Sequence, residues 1–200
     1  MSKELDNLEL NKGDNFIFCF DVSASMQATD TPSGGSRISY LKEKLTTFVN
    51  EAAKYDDDGI DLITFGHQIS LKPKLTPASA ADVIAALQAN EGSTDTAGAI
   101  KKAYELHKKG GYDQTVAFIA TDGAPADQDA VRDVIRTIAS ELGEEHEFAI
   151  SFLIVGKPDS RLQAFLTELD DNLKAKYDIV DVKSLDEVDF ISAFMGALND

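Results

Sequence analysis

The chain has 200 residues, 43% hydrophobic and 8% aromatic, enough apolar material for one domain to bury a core without disulfides or a structural metal. Lys and Arg number 19 against 35 Asp and Glu, a net charge of −16 that repels phosphate backbones and anionic lipid, so nucleic acid and membrane are not expected partners. Residues 1–14 lack the apolar core of a secretory signal, and no run approaches the ~20 apolar residues of a membrane span. The expected setting is therefore the cytoplasm.

Residues 16–20 are five consecutive apolar side chains, Phe16, Ile17, Phe18, Cys19 and Phe20, which suits a central strand covered on both faces. Cys19, the single cysteine, reads as a small buried hydrophobe. The strand stops at Asp21, followed by Ser23 and Ser25, and residues 27–36 carry the Ser, Thr, Gly, Asp and Pro of a loop. Ile38, Leu41, Leu45, Phe48, Val49 and Ala52 then recur at helical spacing. A second short strand is expected over 60–65. Residues 68–75, interrupted by Pro73, suit an edge strand after a tight turn at Gly66 and His67.

An Ala-rich helix is expected over 79–87, and another opening at 93–96, where Ser93, Thr94, Asp95 and Thr96 offer capping groups. Its apolar face holds Ile100, Ala103 and Tyr104, and Gly110 and Gly111 end it. Residues 115–120 form a second unbroken apolar run, which like the first ends at an acid, Asp122. A helix from about Asp127, a buried strand over 148–155, a helix opened by Asp159 and Ser160, an edge strand over 177–182 and a last helix through Leu185, Val188, Ile191, Phe194 and Leu198 complete the chain. This alternation predicts a three-layer αβα sandwich: a mostly parallel, doubly wound sheet with one antiparallel edge strand, in a single domain over 1–200 with its core at about 14–199. Ligands of such folds sit beyond the strand C-termini where strand order reverses. If the strands from Phe16 and Thr115 are neighbours there, Asp21 and Asp122 face one crevice.

Either acidic segment alone reads as ordinary turn chemistry. Together, Asp21-Val22-Ser23-Ala24-Ser25, Gly92-Ser93-Thr94-Asp95-Thr96 and Thr121-Asp122-Gly123 resemble the three-part metal-ion-dependent adhesion site of the von Willebrand factor A family, Asp-x-Ser-x-Ser, then Thr, then Asp. The resemblance runs from Phe16 through the final helix. It implies a Rossmann-like fold, a bound Mg²⁺ or Mn²⁺ ahead of Ca²⁺, hydroxyl ligands from Ser23, Ser25 and Thr94, and Asp21 and Asp122 acting mainly through metal-bound water and hydrogen bonds. Thr96 is the alternative threonine; Thr94 follows the Gly-Ser turn and matches the family position. Ala24 stands where the family often has Gly and, being small, is expected to leave the loop intact.

Neutral hydroxyls leave a cation with residual charge and an exchangeable position. The expected function is thus a divalent-metal-dependent protein interaction module that takes an Asp or Glu from its partner, the family's cytoplasmic bacterial members being associated with AAA ATPases or tellurium-resistance stress operons. The alternative is a metal-assisted phosphohydrolase or phosphoryl-transfer enzyme using Asp21. Against it, a haloacid dehalogenase-type nucleophile needs a second acid two positions on, where this chain has Ser23. No GxSxG elbow or glycine-rich loop follows the first strand, and His67, His107 and His146 fall on no motif. No catalytic residue is expected.

Overall fold

The computed structural model describes residues 15–54 and 58–186. Its strands are β1 (Asn15–Asp21), β2 (Ile60–Phe65), β3 (Ile69–Leu75), β4 (Thr115–Thr121), β5 (Phe148–Ile154) and β6 (Val180–Ser184). The α-helices are α1 (Arg37–Ala52), α2 (Pro77–Ala86), α3 (Thr96–Gly110), α4 (Gln128–Glu141) and α5 (Ser160–Asp171). The strands form one sheet in the order β3-β2-β1-β4-β5-β6. Every pairing is parallel except β2 with β3, so the expected fold class holds and β3 is the antiparallel edge.

β1 shows why its apolar run is unbroken. Side chains alternate across a strand, and Phe16, Phe18 and Phe20 enter one core layer with Leu41, Leu45, Phe48 and Ile84 of α1 and α2. Ile17 and Cys19 enter the other, with residues of α3, α4 and α5. Phe48 is the centre of the first layer: its ring meets Phe18 edge-on at 4.9 Å and Phe118 at 5.1 Å between centroids, in the geometry aromatic quadrupoles favour. The helix starts follow the expected chemistry. Asp95, Asp127 and Asp159 each accept a hydrogen bond from the backbone N–H three residues on, and Gly111, at φ 64°, closes α3 in the left-handed conformation.

Several boundaries differ from expectation. The 79–87 helix starts at Pro77, whose fixed φ suits a first turn. The second edge strand starts at Val180 rather than 177, because Tyr177 instead donates its hydroxyl to the Gly143 carbonyl in a loop. Just before the expected loop, Ala24–Gln27 is a short 3₁₀ turn plugged into the core by buried Met26. His107, which continues the apolar face of α3, is buried; its Nδ1 lies 2.9 Å from the Thr115 hydroxyl and burial pushes its pKa down. Leu185 is buried, while Val188, Ile191, Phe194 and Leu198 of the expected last helix lie outside the described residues.

Phe48→Ala removes the ring that joins β1 to β4 through α1. It should lower the stability of the domain by about 3–5 kcal/mol, read as a fall in the urea midpoint; a loss below about 1 kcal/mol would contradict this packing.

Candidate metal centre

The loops that follow β1, β2 and β4, with the segment before α3, meet at one end of the sheet. Val22 continues the strand by donating its N–H to Phe65 O, and its own carbonyl accepts from the N–H groups of Asn90 and Glu91. Ala24 N–H donates to Glu91 O, Asp95 N–H to Gly66 O and Ala126 N–H to Thr94 O. The 90–95 segment is thus laced by backbone hydrogen bonds to the loops after β1, β2 and β4. Ala24 begins its turn without positive φ, so the absence of glycine there costs nothing.

Four of the five candidate side chains form one connected set. Asp21 is wholly buried. Its Oδ1 accepts from Ser23 N–H at 2.8 Å and its Oδ2 from the Thr121 hydroxyl of β4 at 2.6 Å. Ser23 Oγ lies 3.0 Å from Ser25 Oγ, and Ser25 Oγ donates to Asp122 Oδ1 at 2.8 Å. Among the described residues the Thr94 side chain takes no part in these bonds; it is half-buried and lines an adjoining groove of about 310 Å³ with His67, Ala126 and Asp127. Thr96 opens α3, is buried, and its hydroxyl has no hydrogen-bond partner among the described residues. Asp95 caps α3, as its position suggested.

An octahedral Mg²⁺ with oxygens at about 2.1 Å sets neighbouring ligand oxygens about 3.0 Å apart. The Ser23–Ser25 and Ser25–Asp122 hydrogen bonds, at 3.0 and 2.8 Å, have that spacing too, so these oxygens can turn to a small hard cation without moving apart. Among the described residues no group of three or more His, Cys, Asp or Glu side chains could hold a metal. A cation here therefore depends on the hydroxyls.

Sequence reasoning missed Arg37 and Asp30. Arg37, the first residue of α1, donates from Nη1 to Asp122 Oδ2 at 2.7 Å, and from Nε and Nη2 to the two oxygens of Asp30 at 2.7 and 2.6 Å. Asp30 foremost, and Asp122, push the Arg37 pKa above its ordinary value against the effect of burial. A signal was present: residues 13–36 contain no Lys or Arg, and Arg37 is the first cation after the serines. Glu91 was also missed; its carboxylate accepts from Gln68 N–H at 2.8 Å, fixing the turn beyond β2.

Burial dominates the electrostatics of Asp21. Desolvation raises its pKa from 3.8 to about 6, the hydrogen bonds from Thr121 and Ser23 oppose this, and the nearby charge of Asp122 adds to it. Because the folded state holds this proton more tightly than the unfolded one, the metal-free protein gains stability from Asp21 as pH falls from about 6 towards 4 and carries a constant penalty above. Asp21→Asn removes that penalty. In chelator it should stabilise the domain by about 1–3 kcal/mol at pH 8 and by almost nothing at pH 4; thermal melts across this range check it, and an equal effect at both pH values would refute the assignment.

A sequence profile described as the von Willebrand factor type A domain matches residues 16–124. Similar solved structures include the manganese-loaded TRAP protein of Plasmodium vivax (TM-score 0.63, 11% identity, covering 89% of this chain and 70% of that one). A mutant of the PilB minor pilin of Streptococcus sanguinis matches at TM-score 0.61 and 13% identity, over 98% of this chain and 62% of the pilin. A von Willebrand factor type A protein of Catenulispora acidiphila matches at TM-score 0.59 and 17% identity, over 94% of this chain and 43% of that one. No curated protein matches the chain. The chain thus spans less than two thirds of the pilin and under half of the Catenulispora protein.

Proposed function

The chain belongs to the von Willebrand factor type A domain family, and from that premise we propose that it is a divalent-metal-dependent protein interaction module. The observation that carries this reading is the row of Ser23, Ser25 and Asp122 oxygens at octahedral-edge spacing. Ser23, Ser25 and Thr94 would supply neutral hydroxyls to Mg²⁺ or Mn²⁺, with Asp122 beside them and Asp21 behind, where it orients the Ser23 backbone and binds Thr121. The manganese carried by the Plasmodium TRAP structure supports a divalent ion of this kind. The cation's chemistry here is Lewis acidity towards an oxygen ligand from outside, the carboxylate of a partner's Asp or Glu.

Asp21 is a poor nucleophile for the alternative phosphoryl-transfer reading. It is wholly buried, and both of its oxygens already accept hydrogen bonds. The partner's acid should lie in a neutral or basic surface, because the −16 charge of the chain repels an acidic one before contact. Among the described residues no helix is long and apolar enough to cross a membrane; a cytoplasmic setting, with an AAA ATPase or a stress-operon product as partner, remains part of the proposal.

Mg²⁺ or Mn²⁺ should stabilise the fold by RT ln(1 + [L]/Kd), about 2.7 kcal/mol at a hundredfold excess over Kd, measured as the shift in melting temperature between metal and chelator. Ser25→Ala and Thr94→Ala should each reduce the shift and Asp21→Ala should abolish it, all three remaining folded. An undiminished shift in Asp21→Ala would sink the proposal.

A further inference from the structure

Arg37 places a full positive charge against a carboxylate that the metal reading needs. The guanidinium touches only one oxygen of Asp122, Oδ2, while Oδ1 stays with Ser25. Asp122 is therefore divided: one oxygen faces the hydroxyls and the other is neutralised from behind. The arrangement is built rather than casual. The side chains of Arg37 and Asp122 are 13% and 1% exposed, and Asp30 grips the remaining side of the guanidinium with both oxygens. The bare backbone of Gly156, after β5, leaves room for the pair, since a Cβ there would lie 2.7 Å from Arg37 Nε and 3.0 Å from Asp30 Oδ1.

We propose that Arg37 is a specificity-determining residue of the metal centre: by occupying the second oxygen of Asp122, it leaves a bound divalent cation short of negative charge and makes the site demand an anionic ligand from its partner. The inference rests on the metal reading above. Without Arg37, the two negative charges of Asp21 and Asp122 near the cation would weaken its pull on a partner's carboxylate. Arg37 shifts that balance by one positive unit. Asp30 returns only part of it, because it lies beyond the guanidinium with its side chain 37% exposed, where water screens its charge. Arginine suits this role because it stays protonated whatever the metal does.

The test is a Mn²⁺ titration of the full 200-residue chain, followed by water-proton relaxation, for the wild type, Arg37→Met and Arg37→Lys. Acetate is then added as a carboxylate probe that displaces water from the bound Mn²⁺. Removing the charge should tighten Mn²⁺ binding about tenfold and weaken acetate binding to the loaded site severalfold. Arg37→Lys keeps the charge and should stay near the wild type in both measurements. Weaker Mn²⁺ binding in Arg37→Met would mean that Arg37 merely holds Asp122 in place, and would overturn the inference. So would unchanged acetate affinity, or a lysine variant that behaves like the methionine one. If neither the wild type nor either variant changes the water relaxation from that of free Mn²⁺, the metal reading itself fails and takes this inference with it.

Discussion

The hydrogen bond from the Thr121 hydroxyl to buried Asp21 joins the ends of β1 and β4, and the candidate metal centre depends on that adjacency. In a parallel sheet all strands point the same way, so neighbours deliver their terminal loops side by side, roughly 5 Å apart. β1 and β4 are neighbours where the sheet changes direction of growth, towards β2 and β3 on one side and β5 and β6 on the other. At such a point the connecting helices leave on opposite faces, α1 in one layer and α3 and α4 in the other, and a crevice opens between the departing loops. The position of the site follows from the winding of the sheet.

Within that crevice the chemistry is a contest between burial and charge. Asp21 is too deep to be comfortably ionised and holds its place by hydrogen bonds. Asp122 is nearly as deep and is accompanied by a cation from the protein itself. The serines between them bring no charge, so they can satisfy one another at 3.0 Å or turn their lone pairs to a metal without a change in net charge. Such a site has a defined shape before anything binds, which lowers the ordering cost of recognition.

The strands and the junctions that end them were legible in the sequence because their signals are local. The runs at 16–20 and 115–120 stop at acids, and the helices announce themselves with Asp at positions 95, 127 and 159. The neighbouring relation of β1 and β4 was argued as a condition and is met. Arg37 stands out in the sequence only as the first cation after the serines; nothing in the local pattern says that the first residue of a helix will reach across to a strand end 85 positions away. The displaced start of β6 has a similar origin, since Tyr177 has an apolar ring suited to a strand but a hydroxyl that found a distant carbonyl instead. Tertiary contacts overrode local pattern in both places.

The register of β1 on β4 also bears on how the chain acquires its fold. Asn15 pairs with Thr115, so a segment near the start must wait for one a hundred residues later. Closing so long a loop is entropically costly before any pairing rewards it. During synthesis β1, β2 and β3 can meet early, whereas the central sheet stays open on one side until β4 has emerged. Asp122 is among the last of the proposed ligands to be made. The full set of proposed ligands therefore exists only once β4 has been made.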